Sequence, residues 1–95
     1  MTLKQNFADQ LKAQSEIWQA QTKDYQERLE QASEQARAEY KKAVEKMQST
    51  AEEARKLAET TSSANEAAWK DMFAANQKAF AELQRGWADA VSRFQ

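Results

Sequence analysis

From Leu11 onward, apolar and small side chains recur every three or four positions. Leu11, Trp18, Tyr25 and Ala32 stand seven apart, and Thr22, Leu29 and Ala36 follow the last three of these by four. A second register takes over at Tyr40 and runs through Met47, Ala54, Thr61 and Ala68, with Val44, Ala51 and Ala58 alongside. Such spacing gathers the apolar positions on one helix face. The shift between the registers predicts a stutter within a continuous helix. The last third is the most regular. Phe73, Phe80, Trp87 and Phe94 are spaced by seven, and Trp69, Asn76, Leu83 and Ala90 each precede one of them by four. This is an a/d stripe over almost four heptads, built mainly from rings. It holds five of the chain's nine aromatic residues.

Thr2 and Gln5 have the spacing of a capping box, so a helix is predicted from about residue 3 to about residue 59. Two places are candidates for a turn. The polar run from Glu59 to Asn65 contributes little to any seam, and Ser63 with Glu66 has capping-box spacing, which favours a turn at about 60–64 and an aromatic-rich helix over about 64–94. The other candidate is 48–50, where Thr50 and Glu53 repeat the same spacing.

Composition sharpens the fold class to all-α. The chain has no proline and one glycine, Gly86, and few β-branched residues, so it lacks the vocabulary of β-turns and strands. Gly86, next to Trp87, marks either a close approach of another helix or a glycine tolerated near a helix end. Large aliphatic side chains are scarce, and alanine supplies much of the 41% hydrophobic fraction. At roughly 0.8 kcal/mol per buried CH₂, an alanine core in a single 95-residue domain is thin. A helical hairpin or coiled-coil bundle completed by homo-oligomerisation is therefore expected. Ile17 and Trp18 form a smaller apolar patch, expected in the core.

The charges, 14 basic against 15 acidic, are evenly mixed and form no basic face, which argues against nucleic acid and against a polybasic membrane anchor. No apolar run approaches a transmembrane span or a signal peptide. A cytoplasmic location is expected.

Catalytic chemistry finds no foothold. Without histidine or cysteine there is no Ser-His triad, no thiolate nucleophile and no Glu-x-x-His metal pair. No Gly-rich phosphate loop occurs. Glu27 with Glu30, and Glu52 with Glu53, read as surface groups, and pairs such as Lys23 with Glu27 and Glu52 with Lys56 as helix-supporting ion pairs. The expectation is a non-enzyme that needs no cofactor and holds no metal. Rings at heptad spacing are ordinary core. Here they also suit a helix that lies on an apolar surface, because overall hydrophobicity is low and the polar face is not enriched in lysine and arginine.

The stretch Ala68-Trp69-Lys70-Asp71-Met72-Phe73-Ala74-Ala75-Asn76-Gln77-Lys78-Ala79-Phe80-Ala81-Glu82-Leu83-Gln84, set in an Ala/Gln/Glu/Lys background without cysteine or proline, resembles the phasins, small bacterial proteins that coat polyhydroxyalkanoate granules. The chain is shorter than most phasins and richer in tryptophan. The resemblance implies an all-helical, oligomeric, non-catalytic protein that is granule-associated and adsorbs to the polyester surface. The residues expected to make that contact are Trp69, Phe73, Phe80, Leu83, Trp87 and Phe94. The alternative is a coiled-coil adaptor or assembly subunit that uses the same face to bind a helical protein partner.

Overall fold

A computed structural model describes residues 2–94. It is all-helical: α1 (Leu3–Gln31), α2 (Glu34–Ser63) and α3 (Glu66–Ser92), with no strand among the described residues. The helices run up, down and up in a bundle of 51 × 19 × 16 Å, which sets α1 parallel to α3. No helix among the described residues is long and apolar enough to cross a membrane.

Each helix opens on a side-chain cap. Thr2 Oγ1 accepts from the Gln5 amide at 3.1 Å, Ser33 Oγ from Ala36 at 3.4 Å and Asn65 Oδ1 from Ala68 at 2.8 Å. Caps of this kind are typically worth about 1 kcal/mol each.

The continuous helix expected over about 3–59 does not form. It stops at Gln31, and α2 restarts at Glu34. The register shift read as a stutter is the signature of this reversal, since two helices separated by a turn need not share a heptad phase. The region 48–50 is uninterrupted helix, and Thr50 there is buried. The second connection is at Ala64 and Asn65, so residues 60–63 stay in α2, where Thr61 is wholly buried. Asn65, rather than Ser63, caps α3.

The two connections have the same backbone. Ala32 and Ser33 have φ/ψ of −75/153° and −64/160°, and Ala64 and Asn65 have −71/144° and −73/164°. Each is an alanine followed by a capping residue, both extended. No described residue has a positive φ, so neither turn requires glycine.

The α1–α2 pair is closed by small side chains. Ala8, Ser15 and Thr22, seven apart on α1, are buried alongside Ala51, Ala54 and Ala58 of α2, and this pair of helices shares the most extensive backbone contact in the bundle. The N-terminal end of α1 is also tied down: Lys4 Nζ donates to Ala64 O at 2.8 Å and to Ser62 O at 3.4 Å, at the end of α2. Leu11 and Met47, fully buried, fill the centre. Ile17, expected in the core, is half exposed, because it directly precedes the buried Trp18 and lies about 100° round the helix from it.

Along the edge of α2 that borders α1, Arg55 pairs with Glu52 and Glu59, one turn away on either side. The hydrogen bond from Arg55 holds the Glu52 carboxyl below its ordinary value and raises the Arg55 guanidinium. A depressed carboxylate stabilises the fold above its unfolded pKa and loses that contribution as pH falls through the folded one. Both groups are solvent-facing, so the contribution is small.

Gly86 sits in α3 against α2. A Cβ built there meets Lys46 Cε at 3.3 Å and Thr50 Oγ1 at 3.9 Å. Lys46 is exposed and its chain end can swing aside. Gly86→Ala is therefore expected to raise stability by about 0.5–1 kcal/mol through helix propensity, read as a shifted urea midpoint. A loss of stability would show that the close approach requires glycine.

Candidate functional site

The aromatic stripe of α3 closes onto a matching stripe of α1. Eight of the chain's nine rings line this seam in three clusters, and the ninth, Tyr40 of α2, joins the last of them. Beside the Ala64–Asn65 turn, Phe7 lies 6.5 Å from Trp69 and 5.6 Å, edge-on, from Phe73, with Trp69 and Phe73 4.8 Å apart. In the middle, Trp18 stacks on Trp87 at 5.2 Å and 14° and meets Phe80 at 6.3 Å. Beside the Ala32–Ser33 turn, Phe94 lies between Tyr25 at 4.6 Å and Tyr40 at 4.3 Å, and the Arg28 guanidinium sits over Tyr25. Ring pairs in such geometries contribute about 0.5–1.5 kcal/mol beyond the area they bury.

The rings hold the two parallel helices apart. Between α1 and α3 the backbones scarcely approach, and the contact is made by long side chains. Trp18, Trp69, Phe80 and Trp87 are buried, while Phe7, Tyr25, Tyr40, Phe73 and Phe94 are half-buried. The Trp69 indole N–H is buried without a hydrogen-bond partner, which typically costs about 1–3 kcal/mol.

Of the six residues expected at the contact, Trp69, Phe73, Phe80, Trp87 and Phe94 come together in the seam. Leu83 does not. It lines a cleft of about 310 Å³ between α2 and α3, with Leu57 and Ala79. Phe7 was not among the expected contact residues, although its position four before Leu11 places it on the same face as Trp18 and Tyr25.

One polar pair crosses α2 and α3: Asn76 Nδ2 donates to Thr61 Oγ1 at 3.4 Å, both side chains buried. A buried polar pair at a heptad position fixes helix register at some expense of stability. At the far end of α3, Arg93 pairs with Glu39 of α2 and Asp89 of its own helix. The outer surface is polar, and Leu3 and Ile17 are the exposed large apolar side chains among the described residues.

The chain matches no known protein family, no curated protein and no solved structure.

Proposed function

We propose that this protein is a non-catalytic, phasin-like coat protein that presents its aromatic seam to a neutral hydrophobic surface, the polyester of a polyhydroxyalkanoate granule. The observation that carries the reading is that eight of the chain's nine rings lie in one seam between two helices whose backbones scarcely touch, with Tyr40 of α2 closing its end. A core built for stability alone would spread its large side chains over all three interfaces. Here α1 and α2 are joined by alanine, serine and threonine, and the bulky apolar surface is concentrated where one separation would expose it.

Magnitudes support an exchange between a closed and a spread form. Four rings present roughly 600–1,000 Å² of apolar surface when fully exposed, and giving even part of it to water costs several kcal/mol at about 25 cal/mol/Å². Water gives none of that back. An apolar particle returns most of it, so the seam stays shut in solution and opens on contact. The polar face, with charges of both signs, then remains in water. A single chain can bury the stripe within itself, so self-association is placed on the particle, where spread chains lie side by side.

The test is co-sedimentation with clean polyhydroxybutyrate particles, beside a heptad coiled coil of similar charge. Saturable binding above that control is expected. Absence of binding while the protein is fully helical would remove the granule reading and direct the search to helical protein partners. Serine at Phe80 and Trp87 would be a poor probe, because both rings are core and their loss would unfold the bundle as well as blunt its contact.

A further inference from the structure

We infer that α3 is an arm that swings as a unit about Ala64 and Asn65, and that Phe94 with Arg93 forms the clasp holding it shut. The inference rests on the surface-binding reading for its purpose, but not for its mechanics.

The asymmetry between the helices points to α3 as the moving element. Helix α1 is fastened to α2 at both ends and along its length. One end is the two-residue Ala32–Ser33 connection, the other is held by Lys4 on the carbonyls of Ser62 and Ala64, and between them lie Ala8, Ser15 and Thr22 in the close small-residue interface. Helix α3 joins the hairpin through the Ala64–Asn65 connection. Along its middle a single side-chain hydrogen bond, Asn76 to Thr61, joins it to α2, and at 3.4 Å that bond is long. Near the connection, the unpartnered Trp69 N–H regains a partner as soon as water is admitted, which favours opening there.

What fastens the far end is the third ring cluster. Phe94 touches rings from both other helices, Tyr25 of α1 and Tyr40 of α2, and Arg93 adds its pair with Glu39. The ion pair is exposed and contributes little by itself. The double ring contact is the stronger part. It sits about 40 Å from the hinge along a 27-residue helix, so its release frees the whole lever while α1 and α2 remain a hairpin.

The experiment is hydrogen exchange of the full chain without particles, wild type against Phe94→Ala. A helix released from its packing is only marginally stable in water and opens its own amide bonds, so loss of two ring pairs and their burial should speed exchange of the α3 amides on the order of thirty- to a hundredfold, with the amides of α1 and α2 unchanged. Equal acceleration in all three helices, or none in any, would overturn the arm.

A second variant tests the clasp in the opposite direction. The chain has no cysteine, so Glu39→Cys with Arg93→Cys can be joined by a reducible bismaleimide, which tethers both ends of α3 to α2. The linked protein should show α3 exchange slowed to the level of α1 and α2, and should bind polyester particles only after reduction. Equal binding by the linked and reduced forms would overturn the arm as the route of opening. If exchange behaves as expected in both variants and neither form binds particles, the arm stands and the granule reading falls.

Discussion

Trp18→Ala is expected to destabilise the protein by about 3–5 kcal/mol, a large share of the roughly 5–14 kcal/mol that a domain of this size holds. Trp18 meets two rings of α3, stacked on Trp87 and leaning on Phe80, and at 4% exposed it is the buried ring of α1. It also belongs to the same packed cluster as Leu11 and Met47. Its removal leaves a void that the rigid α1–α2 hairpin cannot collapse to fill, so the loss combines the transfer of the indole with the cavity left behind. Urea unfolding followed by far-UV circular dichroism measures it. A loss under 1 kcal/mol would show that the seam contributes little to holding the bundle closed.

Ala54→Leu should destabilise through the opposite failure. Ala54 is fully buried in the cluster that joins all three helices. Three added carbons at that depth have to displace a ring or push helices apart, at about 1–3 kcal/mol. The comparison is Ala74→Leu on the exposed face of α3, which should stay within about 0.5 kcal/mol of wild type. Equal stability of the two variants would mean that the centre of the bundle is loosely packed, against the burial of Ala54, Leu11 and Met47. The two substitutions bracket the design: the α1–α3 interface depends on bulk, and α2 depends on its absence.

The helical class was legible because it rests on local facts, namely the three-and-four spacing and the missing glycine and proline. The apolar stripe of α3 was legible for the same reason, since Trp69, Phe73, Phe80, Trp87 and Phe94 keep one phase along the C-terminal third. The reversal at Ala32 and Ser33 was not. It has none of the residues that usually announce a turn, because two extended residues and a serine cap suffice there. Its trace in the sequence was the mismatch of heptad phase between Ala36 and Tyr40, which a stutter explains equally well. The partners of the stripe were hidden for a different reason. Heptad spacing says which face of α3 is apolar, and it is silent on whether a second chain, a particle or α1 covers that face. Only the number of helices decides it. With three helices rather than two, the rings of Phe7, Trp18 and Tyr25 fall opposite those of α3 within one molecule.

The paired extended residues at the two connections carry a consequence of their own. At Ala32, Ser33, Ala64 and Asn65 the φ angles lie between −64 and −75°, already within the range of an α-helix. Only ψ differs. Neither connection holds a proline to deny an amide or a glycine to soften the backbone. A rotation about ψ at two residues therefore turns a bend into unbroken helix, and both end states are allowed for these residues. Fused in this way, α2 and α3 would form a rod of roughly 90 Å at 1.5 Å per residue. The difference between a bend and a rod at Ala64 and Asn65 thus lies in the two ψ angles there.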